Sequence, residues 1–92
     1  MKRDTLIEVL KRAPGVEGSK TAYKVAEQHR LTFYLGHESG SIVVPEVHLI
    51  TLESEFLELV SKEGTYYASY ESIRVISDRP PKKENERRPG FA

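Results

Sequence analysis

The stretch from Glu55 to Ile76, EFLELVSKEGTYYASYESIRVI, constrains this chain most. Apolar residues alternate with polar ones from Phe56 to Ser61 and again from Thr65 to Tyr70, the period of half-buried strands. Lys62-Glu63-Gly64 joins them, and Gly64 supplies the freedom a hairpin turn needs. Leu57 and Leu59 share one face; Phe56, Glu58 and Val60 share the other. In the returning strand Tyr66, Ala68 and Tyr70 lie on one side. A third segment, Ser72 to Ile76, completes the core with Ile73 and Val75, leaving Ile76 on the opposite side. Apolar residues on both faces require that the sheet close into a barrel or meet another subunit.

The segments before this ribbon supply what it packs against. Asp4 to Arg12 (DTLIEVLKR) places Leu6, Ile7 and Leu10 on one helical face, with Asp4 as cap and Lys11 and Arg12 suited to the C-terminal dipole. Pro14-Gly15 ends the helix, and composition makes Pro14 to Ser19 a loop. Thr21 to Arg30 admits two readings. Thr21, Tyr23 and Val25 alternate as in a strand, whereas Ala22, Val25, Ala26 and His29 fit a helix. The strand is taken here, pairing with the segment that follows it. The helical reading would open a helix-turn-helix, but the continuation FYLGHESGSIVV is β-like and offers no recognition helix. Leu31 to Leu35 is a strand with Leu31, Phe33 and Leu35 inward. Gly36 to Gly40 is a turn. Ser41 to Val44 and Val47 to Leu52 are strands separated by Pro45, which marks a bulge, an edge or a sharp bend. The expected fold is mainly β: a small, strongly bent five-stranded barrel with an N-terminal α-helix over residues 1–77, and a disordered charged tail over 78–92. The tail, DRPPKKENERRPGFA, has three prolines and eight charges and cannot bury enough surface to order itself.

Ninety-two residues make one domain with one modest core. The chain has no cysteine, so disulfides and thiolate sites are excluded, and it contains no apolar run of the ~20 residues that spans a bilayer. No signal peptide is visible, and a cytoplasmic location is expected. The net charge of zero conceals a pattern. Residues 31–77 hold seven acids against Lys62 and Arg74, while residues 1–30 and 78–92 are net basic. An acidic body repels phosphate.

Chemistry-bearing clusters are sparse. His29, His37 and His48 share no ligand spacing, and no metal or other cofactor is expected. Glu53, Glu55 and Glu58 have the spacing of a solvated strand face rather than of an acid–base pair in a pocket. Neither a phosphate-cradling loop nor a nucleophile motif is present, so the chain is not expected to be an enzyme.

One helix followed by about five short, bent strands is the element order of Sm-like barrels, and three pieces resemble the bacterial Sm-like RNA chaperones of the Hfq type. Asp4 to Arg12 looks like that family's N-terminal helix, which ends in a basic pair. Phe33-Tyr34-Leu35 with its glycine turn looks like the first strand and turn, and Ile50 to Lys62 like the segment crossing the second and third strands. The resemblance implies an Sm-like (SH3-like) barrel that assembles as a homo-oligomeric ring and binds RNA. Lys11 and Arg12 would form the rim that touches phosphates, Tyr34 would stack bases on the distal face, and Phe56, Ser69 and Tyr70 would surround the pore. The chain departs from the family in three places. Ala68-Ser69-Tyr70, or Tyr67-Ala68-Ser69 in a register shifted by one, stands where the family has Tyr-Lys-His, Glu55 stands at the pore glutamine, and roughly Ala13 to Arg30 is inserted. Losing Lys and His and gaining an acid weakens attraction for RNA phosphates. The alternative expectation is therefore an oligomeric protein-interaction scaffold that binds another protein and not RNA, with no membrane partner.

Overall fold

The structure, a computed structural model, describes residues 1–37 and 40–79. Most of the expected tail, residues 80–92, and the tip of the expected glycine turn, residues 38–39, lie outside the described residues.

Helix α1 spans Arg3–Arg12 and buries Leu6 and Leu10, four residues apart on one face. Its N-cap is Lys2, with extended backbone and no side-chain capping bond, so Asp4 is not the cap. Asp4 lies in the first turn and Lys11 and Arg12 in the last, each with the sign that suits the helix dipole. The Met1 amino group donates to the carbonyls of Tyr70 (2.8 Å) and Ile73 (3.3 Å), which pins the helix start across the molecule.

Seven strands follow: β1 Val16–Ser19, β2 Ala22–Val25, β3 Arg30–His37, β4 Gly40–Leu52, β5 Phe56–Ser61, β6 Gly64–Ser69 and β7 Ile73–Arg79. A one-turn 3₁₀ helix, Tyr70–Ser72, joins the last two. All pairings are antiparallel, and β6-β5-β4-β3-β7 forms a curled half-barrel. The sheet has seven strands where five are expected, and it stops at a half-barrel where a closed barrel is expected; the expected segments from Leu31 to Ile76 make up this path, with the two on either side of Pro45 joined in β4. The β1–β2 hairpin is additional; β2 pairs with Leu49, Ile50 and Thr51 of β4. The strand reading of Thr21 to Arg30 therefore holds for Ala22–Val25, where Tyr23 and Val25 are buried, but its partners are β1 and β4 rather than the strand that follows it. The expected loop at Pro14–Ser19 is instead partly strand. Glu17, Gly18 and Ser19 are exposed and lack β-favouring side chains, so pairing with β2 rather than local propensity makes β1.

Pro45 does not split β4. Leu31 pairs with Val47 but Phe33 with Val44, so β4 carries one extra residue, and Glu46 beside the proline adopts φ 52. This is a bulge, which bends the strand and lets one 13-residue element serve both halves of the sheet. A second shift against β5 brackets His48, which is absent from all three of β4's ladders.

A third bulge corrects the expected core. Tyr34 pairs with Val75 but Leu35 with Ile73, which leaves Arg74 extra on β7. The bulge inverts the alternation beyond it. Ile73 is buried, Val75 is 54% exposed, and Ile76, expected outside, packs on the core. Strand β7 also continues through Asp78 and Arg79, two residues past the expected domain boundary at 77.

Inward residues of the sheet and the helix share one core. Leu31, Phe33, Val44, Leu57 and Leu59 form a single cluster with Leu6 and Leu10, all at 0% exposure, so α1 fills the concave side of the half-barrel.

Candidate functional site

The outer face of the curled sheet carries the exposed apolar side chains. On β5–β6, Phe56 lies opposite Ser69 and Glu58 opposite Tyr67. Phe56 and Tyr67 meet edge to face with ring centroids 6.3 Å apart, the geometry aromatic pairs prefer. Tyr67 is 67% exposed and Phe56 44%. The Glu58 carboxylate accepts a hydrogen bond from the Tyr67 hydroxyl, and that bond, with the carboxylate's charge, raises the phenol above its ordinary value of 10.0. The neutral phenol is the donor, so the bond is intact at neutral pH and is lost as pH rises through the raised value. In Glu58→Gln, spectrophotometric titration of the tyrosines is expected to show one group ionising at lower pH than in the parent. An unchanged curve would separate Tyr67 from Glu58.

A second exposed row crosses β4, β3 and β7. Val43 and Val75 each lie opposite Tyr34, and 36% of Tyr34 is exposed.

The residues expected at an RNA site therefore occupy four places. Phe56 and Ser69 are brought together across one ladder. Tyr34 lies on β3, and Lys11 and Arg12 are exposed in the last turn of α1. Tyr70 is not a surface residue. It is 8% exposed, its hydroxyl donates to the Glu53 carbonyl and its own carbonyl accepts from Met1. It closes the junction between the helix start, the 3₁₀ turn and the end of β4, and its ring is unavailable to a pore ligand. Tyr67 and Val75 went unnoticed as surface groups because register, which a single strand's pattern does not contain, sets their neighbours.

Two adjoining concavities lie where β4 changes partner from β3 to β2. A trough of about 730 Å³ includes Glu17, Lys24, Glu27, His48 and Leu49. An adjoining one of about 520 Å³ includes His29, Arg30, Glu46 and Lys62. Both mix acids and bases, and Lys62 pairs with Glu46 at 3.2 Å. Beside them His29 Nδ1 meets Asp78 Oδ1 at 3.0 Å, and His29 packs so closely on Gly15 that a β-carbon there would come within 2.2 Å of the ring. The pair fastens the segment after β2 to the end of β7. Asp78 Oδ2 is buried without a hydrogen-bond partner among the described residues. Among those residues no group of three or more His, Cys, Asp and Glu could hold a metal ion, and no helix is long and apolar enough to cross a membrane.

Fold and surface together define a class: a helix-filled antiparallel half-barrel with aromatic and apolar groups on its outer face. Comparison with protein-family models, curated proteins and solved structures found no match.

Proposed function

We propose that this chain is a non-enzymatic, cytoplasmic binding module of Sm-like type that assembles into a homo-oligomeric ring and touches RNA through Lys11 and Arg12. The observation that carries the reading is the pair of open edges at the two ends of the β6-β5-β4-β3-β7 path, apart from the third, short edge at β1. Within the described residues β6 pairs only with β5, and β7 only with β3. Open edges are templates for pairing with another chain. An open edge at each end of one curled sheet is what a head-to-tail contact requires, and such contacts close into rings when the rotation permits. Exposed Tyr67 on β6 and Val75 on β7 give both edges apolar surface to bury. Phe56 and Ser69 then line the ring's inner surface, and Tyr34 offers a stacking face worth ~1–3 kcal/mol per base.

A second reading is an oligomeric scaffold that binds another protein and not RNA. The burial of Tyr70 favours it, because that leaves Phe56 and Ser69 beside acidic Glu55 with no cation in the group.

Light scattering, combined with the 260 to 280 nm absorbance ratio of protein purified at low salt without nuclease, separates these readings. A mass of about five to seven chains, closed by symmetry, with co-purifying RNA is the expected result. Lys11→Ala with Arg12→Ala should then reduce the RNA carried. An assembly free of nucleic acid selects the scaffold, and a single-chain mass removes both.

A further inference from the structure

From Arg30 and Arg79 we infer a site for a phosphate group on the outer face of β3 and β7, separate from the helix rim. The two arginines are direct partners in the β3–β7 ladder. Both are exposed and point outward, since Leu31 beside Arg30 is fully buried and Asp78 beside Arg79 turns inward to His29. Side chains directly opposite on one face have β-carbons roughly 4.5–5.5 Å apart, and like charges there destabilise the pair. Within the described residues the ion pairs are His29–Asp78 and Lys62–Glu46, so no acid there offsets either guanidinium.

An anion placed between the arginines turns that repulsion into attraction. A guanidinium presents a planar fork of donors that matches phosphate oxygens, and two forks converging from neighbouring strands surround one group. The surroundings suit it. Arg30, Arg79, Thr32, Tyr34, Val43 and Pro45 border an open depression of about 280 Å³. Thr32 and Ser77 are partners in the next outward row and place two hydroxyl donors beside the arginines. Glu46, the acid on the rim, is held by Lys62 at 3.2 Å. The chain between residues 31 and 77 is otherwise strongly acidic, so an opposed arginine pair beside that segment stands out as its anion-receptive surface.

The ligand is a phosphate group, borne by a nucleic-acid backbone or by a small molecule. Two arms of one experiment on the full chain separate these sources. In the first, a fluorescein-labelled single-stranded oligonucleotide is titrated by polarisation across a salt series. In the second, thermal melts are compared in sodium phosphate and in sodium chloride of matched ionic strength. Arg30→Gln with Arg79→Gln is expected to weaken the oligonucleotide at least tenfold and to lower the slope of log K against log salt by about 1–2, as loss of phosphate contacts requires. Lys11→Ala with Arg12→Ala should leave the phosphate-induced rise in melting temperature intact. A response in both arms assigns the site to the nucleic-acid backbone, and one in the phosphate arm alone assigns it to a small phosphorylated molecule. The double variant should melt no lower than the parent in chloride, because it removes a repulsion. Absence of binding in both arms, or binding that the arginine substitutions leave unchanged, overturns the site whatever the assembly state.

Discussion

Leu6→Ala together with Leu10→Ala is expected to remove most of the stability of this domain. Both side chains have 0% exposure and lie in the cluster that contains Phe33, Leu57 and Leu59. Each truncation of a buried leucine costs about 2–5 kcal/mol, the lost transfer energy plus the cavity left behind. The two sites are one helical turn apart and share neighbours, so the losses will not simply add. Even a sum of ~5 kcal/mol approaches the whole stability of an ordinary domain, ~5–15 kcal/mol. A ten-residue helix does not hold itself together in water, so α1 will melt when its anchors go. Guanidinium titration followed by far-UV circular dichroism should show a midpoint collapsing toward zero denaturant. Lys11→Ala with Arg12→Ala, on the same helix but exposed, should lower the unfolding free energy by no more than about 1 kcal/mol per side chain, the worth of a charge at a helix end. A double leucine variant as stable as its parent would mean that the helix does not fill the half-barrel.

That contrast also shows what the sequence made legible. The stripe Leu6–Leu10 and the alternations at Leu31-Phe33-Leu35 and Leu57-Leu59 specified burial directly, because the period of an element dictates which side chains share a face. The β5 bounds were readable for the same reason. What failed to be read depends on contacts between segments. Strand β1 has no apolar alternation and exists through its pairing with β2. The extra residue at Arg74 inverts the β7 pattern, so Val75 emerges where alternation from Ile73 places it in the core. Pro45 announced an irregularity, but only its neighbours in space show it to be a bulge inside one continuous strand rather than a break between two. The surface groups fared similarly. Arg30 and Arg79 are 49 positions apart and become neighbours through a register, and Tyr70, drawn toward a pore by resemblance, is held inside by the Glu53 carbonyl.

Val75→Lys is expected to dismantle the proposed ring while leaving each chain folded. Val75 lies on the outer face of β7, opposite Tyr34, and 54% of it is exposed. An exposed substitution of this kind alters the stability of the single chain by no more than ~0.5 kcal/mol, so the melting temperature and far-UV spectrum should be retained. In a contact that pairs β7 with a neighbour's β6, the same position becomes buried. A lysine there must be desolvated or must hold the edges apart, which is how natural edge strands are kept from pairing. Tyr67→Lys at the β6 end should have the same effect, since 67% of that ring is exposed in the single chain. Mixing the two variants tests the polarity of the contact. The Tyr67→Lys chain keeps an intact β7 edge and the Val75→Lys chain an intact β6 edge, so one productive contact forms, and light scattering should show dimers that grow no further. A symmetric contact of β7 with β7 behaves differently, because Tyr67→Lys alone would leave it whole. If the parent assembles and Val75→Lys leaves its mass unchanged, β7 is not the edge through which these chains meet.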